Sequence, residues 1–433
     1  MRVLWFCATP IACVYPVFGF EGSFHGAGWT ESMLGELSKR AEVGFAFQYW
    51  KLPRLLTKKE GNVTYYAIPA AAPCLDETDE GVRAGIRAVY EEYRADVVHV
   101  FGTETPFTLE VLRCVDTART VVSITGLSCV CGGYVYGGLR RGALGLPSLR
   151  DLLKGGLARQ ERSFARRGVT EIQALRLAEH VIGRTAFDRA CVEQINPSLR
   201  YHFCNEMLRD GFWRRRWELA SCTRHTLFVS AGNTPYKGVH QVLEALPIIR
   251  RTYPDVRLVV AGSDVTAYRT VRDRLKITTY GRYLRRRIKK YGLETAVRFI
   301  GPQDAEGMAR QYLRAHVFVL PSAIENSPNS LGEAMFLGVP CVASAVGGVQ
   351  DMLKDREEGF LYPFDEPYML AYYVTRLFGS DELAERFSQA ARSHAAKTHD
   401  RERILKDLTA IYHSLLAASP SQATKEKGTE PNL

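Results

Sequence analysis

The sequence lacks the cysteine and histidine spacings that bind structural metals. Ten cysteines are scattered along 433 residues without a CxxC pair, and no cluster of histidines accompanies them. A zinc site is therefore not expected. The pattern favours reduced thiols, and with them a cytoplasmic protein.

Long apolar runs are also scarce. The stretch from Val3 to Phe20 carries no charged residue and so resembles a signal peptide, but Pro10 and Pro16 interrupt it. We interpret its first residues, RVLWFCATP, as a buried strand that ends in a loop. No other window offers the roughly 20 uninterrupted apolar residues that a membrane span requires.

Two common phosphate-binding motifs are absent or incomplete. No GxxxxGK[ST] sequence occurs, and GAGW at Gly26–Trp29 lacks the full spacing of GxGxxG. A mononucleotide kinase and a simple dehydrogenase are therefore both weakly supported.

Acidic residues are outnumbered, since 57 Lys and Arg against 47 Asp and Glu give a formal net charge of +10. Such a charge favours contact with phosphates or with an anionic membrane surface, and it says nothing about fold. Basic residues cluster in RRRW at Arg214–Trp217 and in RYLRRRIKK at Arg282–Lys290. Each cluster fits either a solvated helix face or a contact with a polyanion or lipid.

What the sequence does contain is a regular alternation of strands and helices. In the C-terminal half, segments of helical periodicity separate the apolar strands TLFVSA, VRLVVAG, VRFIG, VFVLP and CVAS. This order indicates an α/β fold with a doubly wound parallel sheet. The N-terminal half repeats the theme less cleanly with VLWFC, VGFAFQY, VTYYAI, DVVHVF and TVVSI.

The least structured part of the sequence, Asn196 to Thr223, separates the two halves. The predicted divisions are an N-terminal domain, a C-terminal domain, a final helical segment and a disordered tail, over residues 1–205, 206–385, 386–418 and 419–433. The final helix carries an apolar stripe that should pack against another element, formed by Ile404, Leu408, Ile411 and Leu415. The tail has almost nothing to bury.

Ligands of doubly wound sheets bind beyond the carboxyl ends of the strands, where loops lead into helices. GNTPYKG and AVGGV follow two such strands. Glycine permits close backbone approach, and helix N-termini attract phosphate groups. Lys237 would add a positive charge there, although a lysine near a helix start is usually only solvent-exposed. Gly347 and Gly348 fit a phosphate loop or simply a tight turn.

Two glutamates, Glu325 and Glu333, flank a short polar stretch in PSAIENSPNSLGEAMFLGVP. Pro328 disfavours helix just before it, so Glu325 lies in a loop and the helix begins near Asn329 or Ser330. Ser330 and Glu333 then have capping-box spacing. Glu333 therefore either caps its own helix or accepts hydrogen bonds from ligand hydroxyls, and Glu325 is either a solvated acid or a ligand-binding one.

Together these residues resemble the retaining GT-B enzymes of the glycosyl transferases group 1 family, also called glycosyltransferase family 4. The features that carry the resemblance are the E-x7-E spacing, Lys237-Gly238, Gly347-Gly348, GAGW and VVHVFG at Val97. The match runs from about Arg2 to Leu416 and is strongest over Val317–Met352. It implies two Rossmann-like domains facing each other across a cleft, with the last helix crossing back to the first domain.

The resemblance also implies a nucleotide diphosphate sugar as donor, held mainly by the C-terminal domain, without a metal or other cofactor. By position, Glu333 would hold the ribose hydroxyls and Glu325 the hydroxyls of the transferred sugar, while Lys237 would neutralise the diphosphate leaving group. The remaining donor-binding positions would be the amides around Asn329, Ser330 and Leu331 and the glycines Gly26, Gly28, Gly347 and Gly348.

The chain departs from the family pattern at two places. An arginine usually precedes the lysine by a few residues, but the segment from 230 to 236 contains none, and Asn233 lies near that position as a further donor-binding candidate. Arg184 is a guess at the missing arginine. Many members have a histidine in the loop after the strand matching TVVSI, where this chain has Thr125. His99 lies on an earlier strand and is interpreted as structural.

The implied reaction is glycosyl transfer to an acceptor hydroxyl with retention of anomeric configuration, in cell-surface polysaccharide or glycolipid synthesis. The acceptor would be a saccharide or a lipid-linked molecule, met at the anionic inner face of the membrane. Two alternatives remain open. One is a GT-B nucleotide-sugar epimerase, and the other is a basic nucleic-acid-binding protein, although its basic clusters lack a recognisable binding motif.

Overall fold

The structure, a computed structural model, describes residues 1–21, 28–50, 52–71, 76 and 78–417. Its described strands form two separate sheets, one from each half of the chain. The predicted disordered tail, 419–433, lies outside the described residues.

The first sheet has the strand order β3-β4-β2-β1-β5-β6-β7-β8. All of its neighbouring strands are parallel except β3 and β4, which form an antiparallel pair at one edge. The strands are β1 (Arg2–Cys7), β2 (Glu42–Tyr49), β3 (Leu56–Glu60), β4 (Val63–Pro69), β5 (Val97–Phe101), β6 (Thr120–Ser123), β7 (His180–Gly183) and β8 (Arg200–Phe203).

The second sheet is parallel throughout, with the order β11-β10-β9-β12-β13-β14. Its strands are β9 (Thr226–Val229), β10 (Arg257–Val260), β11 (Val297–Phe299), β12 (Val317–Leu320), β13 (Cys341–Ser344) and β14 (Gly359–Tyr362). The order reverses between β9 and β12, which is the point where doubly wound sheets bind ligands.

Helices cover the faces of both sheets. In the first half they are α1 (Val14–Phe18), α2 (Gly28–Leu37), α3 (Glu80–Tyr93), α4 (Pro106–Leu112), α5 (Ser128–Cys131), α6 (Leu149–Lys154), α7 (Gly156–Leu177) and α8 (Ala186–Ile195). In the second half they are α9 (Val239–Ile249), α10 (Val271–Lys276), α11 (Thr279–Lys290), α12 (Ala305–Arg314), α13 (Asn329–Leu337), α14 (Val349–Met352), α15 (Pro367–Phe378), α16 (Asp381–Thr398) and α17 (Arg401–Ala417). None of these helices is both long and apolar enough to cross a membrane.

Strand β1 lies at the centre of the first sheet, as its apolar sequence predicts. Because successive side chains of a strand point to opposite faces, Val3 and Trp5 join one core while Leu4 and Phe6 join the other. All four side chains are fully buried. The interpretation of RVLWFC as a strand buried on both faces is confirmed.

The last helix, α17, returns to the N-terminal sheet. The predicted stripe Ile404, Leu408, Ile411 and Leu415 is buried in the same core as Val3 and Trp5. The Tyr412 hydroxyl accepts a hydrogen bond from Trp5 Nε1 at 3.0 Å and contacts His99 Nδ1 at 2.6 Å. The predicted crossover is therefore confirmed, and it starts at Arg401, since α16 packs on α13 and α15 of the C-terminal half.

Two details differ from the sequence-based expectations. The segment Asn196 to Thr223, expected to be the least structured part of the chain, contains strand β8, which pairs with β7. The polar sequence RYHF at a half-exposed edge gives no apolar run to signal a strand. Helix α16 runs through the predicted limit at 385, and the domain limits themselves stay predictions.

A segment of the first half packs into the core of the second. Leu144 is buried among the side chains of α9, α11 and the C-terminal sheet, and Tyr136, Leu139 and Leu157 pack against the same core. The carbonyl of Gly137 accepts a hydrogen bond from His240 Nε2 at 3.0 Å. Residues 134–157 are therefore a strap from one half to the other.

Candidate functional site

A cavity of about 460 Å³ lies between the two sheets, at the carboxyl ends of their strands. Its N-terminal wall comes from the loops after β5 and β6 and from α7, and its C-terminal wall from the loops after β9 and β12. The predicted residues that line it are Lys237, Glu325, Asn329 and Ser330, and Arg184 lines it too. We call this cavity the cleft.

The two predicted catalytic residues are in direct contact. Lys237 Nζ lies 2.6 Å from Glu325 Oε1, and Ser322 Oγ donates to the same oxygen at 2.7 Å. Burial alone would lower the pKa of Lys237, but the ion pair with Glu325 outweighs it and the pKa is raised. Lys237 is therefore a permanent cation in the cleft, and the alternative of a freely exposed lysine is wrong.

The backbone brings Lys237 to this position through a close approach of two loops. Lys237 ends a short 3-10 turn, and Gly238 follows with a φ of 73°. A Cβ at Gly238 would overlap the carbonyl oxygen of Pro321, which lies at the end of β12. Only glycine fits here, and so the loop after β9 packs directly against the loop that carries Glu325.

Glu333 does not cap its own helix. Pro328 occupies the N-cap position of α13, and no side chain bonds to the free amides there. The Glu333 carboxylate is instead buried against Arg209, whose Nε and Nη2 lie 2.8 and 2.6 Å from Oε1. The capping alternative is therefore wrong. A ligand that bonds to Glu333 would meet the Glu333–Arg209 ion pair.

Burial sets the charge state of this pair. It raises the pKa of the Glu333 carboxyl, and the charge and hydrogen bond of Arg209 offset part of that rise. Tyr312 contributes a weaker bond to Oε2 at 3.3 Å. On the opposite wall, an added Cβ at Gly28 would lie 2.7 Å from Arg209 Cδ, so the described part of GAGW faces the same pair.

Arg184 reaches the cleft from the N-terminal half. It donates to Asn329 Oδ1 and to the carbonyl of Ser327, both at 3.0 Å, and lies 3.2 Å from Glu206 Oε2. The side chain of Asn329 completes the group by donating to Glu206 at 2.9 Å. Arg184 is thus positioned beside the start of α13, where the sequence left it as a guess.

Three polar atoms buried at this junction have no hydrogen-bond partner among the described residues. They are Arg184 Nε, Asn326 Nδ2 and Ser327 Oγ. Buried polar atoms are nearly always bonded, and an unbonded one costs about 1–3 kcal/mol. These three atoms belong to residues at the edge of the cleft, beside the start of α13.

The remaining predicted positions differ in their placement. Ser330 lines the cleft, whereas the Leu331 side chain is fully buried and its amide donates to the carbonyl of Pro328. Asn233 is exposed on the loop after β9 and does not line the cleft. Gly26 lies outside the described residues.

Gly347 and Gly348 pack under the acid-bearing loop. An added Cβ at Gly347 would overlap the carbonyl oxygen of Glu325, and one at Gly348 would overlap that of Asn326. The Gly348 amide donates to the Glu325 carbonyl at 3.1 Å. In this structure the pair therefore supports the backbone of Glu325 and Asn326 from below.

Comparison with known proteins agrees with this geometry. The sequence profile of glycosyl transferases group 1 matches residues 212–394. This part of the chain is therefore similar to the glycosyl transferases group 1 family. The matched residues contain both glutamates, Lys237, α13 and the glycine pair.

Curated relatives match the same part of the chain. D-inositol 3-phosphate glycosyltransferase of Corynebacterium urealyticum is 29% identical over 181 residues, which is 41% of this chain and 40% of that protein. Phosphatidyl-myo-inositol mannosyltransferase of Mycobacterium leprae is 28% identical over 190 residues, 44% of this chain and 46% of that one. The matched part of the chain thus spans less than half the length of these relatives.

Solved structures extend the likeness to nearly the whole fold. Sucrose-phosphate synthase from Thermosynechococcus elongatus superposes with a TM-score of 0.70 at 17% identity, covering 97% of this chain and 100% of that one. HepE of Anabaena, solved in complex with UDP-glucose, gives 0.66 at 15% identity and covers 96% and 100%. The chain has the GT-B fold, as predicted.

The group 1 family pattern did not reveal Glu104, which lines the cleft, or Arg209, which lines the adjoining cavity with Asn329 and Glu333. Glu104, in the loop after β5, accepts a hydrogen bond from Thr125 Oγ1 at 2.6 Å. Burial raises the pKa of the Glu104 carboxyl from 4.5 to about 7, and the Thr125 bond offsets part of the rise. Applying the carboxyl-end rule to DVVHVFGTE would have found it. Arg209 had no sequence signal, because it meets Glu333 across 124 residues of chain.

His99 is structural, as predicted. It is fully buried, and its ring nitrogens contact the hydroxyls of Tyr412 and Ser123 at 2.6 and 2.7 Å. Burial lowers the pKa of His99 to about 3, so the ring is neutral. Within the described ranges, no group of three or more His, Cys, Asp or Glu side chains is placed to hold a metal ion.

Proposed function

We propose that the chain transfers a glycosyl unit from a nucleotide diphosphate sugar to an acceptor hydroxyl with retention of anomeric configuration. The observation that carries the proposal is the Lys237–Glu325 pair, a cation and a carboxylate side by side in the cleft at the carboxyl ends of the strands. A diphosphate and a sugar hydroxyl would satisfy donors and acceptors of these kinds. The family match and HepE, which was solved with UDP-glucose, support the same class of ligand.

Lys237 and Glu325 would act on adjoining parts of the donor. Lys237 and Ser322 both bond to Oε1 of Glu325. Oε2 of Glu325 has no partner among the described residues and can accept a hydrogen bond from a hydroxyl of the transferred sugar. The ammonium of Lys237 has three N–H groups and gives one to Glu325, so it can also donate to the leaving phosphate. One ion pair would thereby hold the two sides of the bond that breaks.

The nucleoside would lie toward α13. Glu333 would accept from the ribose hydroxyls while it keeps Arg209, and the amides of Asn329 and Ser330 would face the phosphates. Arg184 and Arg209 both lie within this region, so either would serve in place of the arginine that the family usually has before the lysine. No metal or other cofactor is included in the proposal.

The chemical step we propose follows from this arrangement. The bond between the anomeric carbon and the phosphate oxygen breaks, and the acceptor oxygen bonds to the same face of that carbon. The acceptor proton passes to the departing phosphate, whose negative charge Lys237 stabilises. Preorganised charge at a developing anion is commonly worth a factor of about 10²–10³ in rate.

The acceptor would be a saccharide or lipid-linked molecule used in cell-surface polysaccharide or glycolipid synthesis, met at the cytoplasmic face of an anionic membrane. Nucleic acid is not proposed as a partner. Two arginines of the basic segment at 282–290 are engaged within the protein, since Arg282 and Arg286 donate to the backbone carbonyls of Leu146 and Leu144.

The test is a screen of nucleoside diphosphate sugars by thermal shift, followed by transfer assays with acceptor sugars. We expect one donor class to stabilise the wild type and Glu333→Gln to reduce that shift. Lys237→Met should lower kcat by about a hundredfold or more. The matched control is Glu357→Gln, an exposed acid outside the cleft, which should behave as wild type.

Two results would contradict the proposal. Conversion of the donor alone into an isomeric nucleotide sugar would establish the epimerase instead. Full activity of Lys237→Met would mean that the reaction centre lies elsewhere. The anomeric configuration of the product, measured by NMR coupling constants, tests retention separately.

A further inference from the structure

The strap exposes an unusual number of leucines just before α7. Leu146, Leu149, Leu152 and Leu153 are 83, 55, 67 and 78% exposed. Single exposed leucines are common on protein surfaces, but four within eight residues form a patch.

Helix α10 of the C-terminal half extends this patch. It contacts α6 and exposes Val271 at 72% and Leu275 at 55%. Two hydrogen bonds fix the junction, because the Ser148 amide donates to Thr279 Oγ1 at 2.9 Å and the Thr279 amide to Asp151 Oδ2 at 2.7 Å. We call the six side chains the leucine surface: Leu146, Leu149, Leu152, Leu153, Val271 and Leu275.

The two segments that form the leucine surface are rich in basic residues. Residues 139–154 contain four basic residues and one acid, and residues 268–290 contain ten basic residues and one acid. Both acids are engaged at helix starts, since Asp151 accepts from Thr279 and Asp273 from the amide of Thr270. The exposed basic side chains nearest the patch in sequence are Arg150, Lys154, Arg272, Arg274 and Lys276.

We propose that the leucine surface inserts into the interface of an anionic lipid bilayer. Apolar side chains ringed by Lys and Arg are the combination that binds such a bilayer, because the leucines enter the acyl boundary while the cations meet the headgroups. The excess of positive charge, with both local acids engaged, is what favours an anionic lipid surface over a second copy of this basic chain.

The surface also lies close to the cleft. Helix α7 starts directly after α6, and Phe164, which lines the cleft, follows Gly156 by eight residues or about 12 Å of helix. A lipid-linked acceptor would thus be presented beside the reacting groups. The presentation of a lipid-linked acceptor rests on the proposed function. The binding of the leucine surface to a bilayer does not.

The experiment is sedimentation with vesicles of equimolar phosphatidylcholine and phosphatidylglycerol, compared with vesicles of phosphatidylcholine alone. Leu152→Ser/Leu153→Ser removes apolar surface without changing charge. The control, Val169→Ser/Leu177→Ser, alters two exposed apolar residues of α7 outside the leucine surface. Melting temperature and the donor-induced thermal shift are measured for every variant without vesicles.

We expect the wild type and the control to bind the anionic vesicles alike, and Leu152→Ser/Leu153→Ser to bind at least about tenfold more weakly. Equal binding by that variant, or no preference of the wild type for anionic vesicles, would overturn the proposal. A third result would also overturn it: a wild type that is a dimer and does not bind vesicles, with a Leu152→Ser/Leu153→Ser variant that is a monomer. The leucine surface would then join two copies of the chain. Loss of donor response with vesicle binding intact would instead count against the proposed function alone.

Discussion

At the scale of single residues, the protonation of Glu104 in the cleft makes the stability of the fold depend on pH. Its folded-state pKa of about 7 lies above the ordinary 4.5, so the folded protein keeps a proton that the unfolded chain releases between these values. The stability that this proton contributes is complete below about pH 4.5 and is lost as the pH rises through 7. Other buried acids with raised pKa values, such as Glu206 and Glu333, act in the same direction.

We predict that Glu104→Gln removes the share of this pH dependence that belongs to Glu104. The unfolding free energy of the variant minus that of wild type should be about 2 kcal/mol larger at about pH 8.5 than at about pH 5. Urea unfolding at both pH values measures the difference. Glu91→Gln, an exposed acid on α3, should give no such gain. Parallel pH curves for wild type and Glu104→Gln would contradict the assignment.

The cleft was only partly predictable residue by residue. Lys237 and Glu325 were assigned to one site because each follows a strand of the same sheet, and they lie in contact. Arg184 reaches the cleft, and Arg209 the adjoining cavity, from parts of the chain that carry no local motif. Their partners, Glu333 and Asn329, are distant in sequence, so only the folded chain reveals these pairs.

At the scale of elements, α13 begins without a side-chain cap although its sequence contains Ser330 and Glu333 in capping-box spacing. The helix starts two residues earlier than the box requires, with Pro328 rather than Ser330 at the N-cap position. Two amides at its start therefore remain available for a ligand, at a cost to the stability of the free helix.

We predict that Ser330→Ala changes the unfolding free energy by less than about 0.5 kcal/mol, because Ser330 caps nothing. Ser380→Ala should cost about 1 kcal/mol, since the Ser380 hydroxyl accepts from the Leu383 amide at 3.2 Å at the start of α16. Urea unfolding of both variants compares them directly. Equal losses would mean that Ser330 is a cap after all.

The elements that the sequence predicted are those with continuous apolar runs, such as β1, β5, β9 and β12. A strand that is buried on both faces of a sheet requires a continuous apolar run, and few other kinds of local structure require one. Strand β8 and the strap lacked this signal. Strand β8 is half-exposed. The strap buries Leu144 in a segment whose sequence has neither the helical nor the strand periodicity of apolar residues.

At the scale of the whole molecule, one hydroxyl joins the crossover helix to the first sheet. The Nδ1 of His99 contacts the Tyr412 hydroxyl at 2.6 Å, and its Nε2 contacts Ser123 Oγ at 2.7 Å. Tyr412 in turn accepts from Trp5 Nε1. All four groups are buried, so no solvent replaces a lost bond.

We predict that Tyr412→Phe lowers the unfolding free energy by about 2 kcal/mol, because Trp5 Nε1 and His99 Nδ1 both lose their partner. Tyr368→Phe is the control, since Tyr368 is 72% exposed, and it should stay within about 0.5 kcal/mol of wild type. Chemical unfolding followed by circular dichroism measures both. A loss no greater than that of the control would mean that water or a rearranged side chain restores the bonds.

The strap has a consequence for protein engineering. Residues 134–157 come from the N-terminal half, but Leu144 and its neighbours complete the hydrophobic core of the other half. A chimaera joined near residue 205 would give the C-terminal half a foreign strap and leave a hole where Leu144 belongs. Grafts between proteins of this fold would therefore work best when they leave 134–157 with its own C-terminal half.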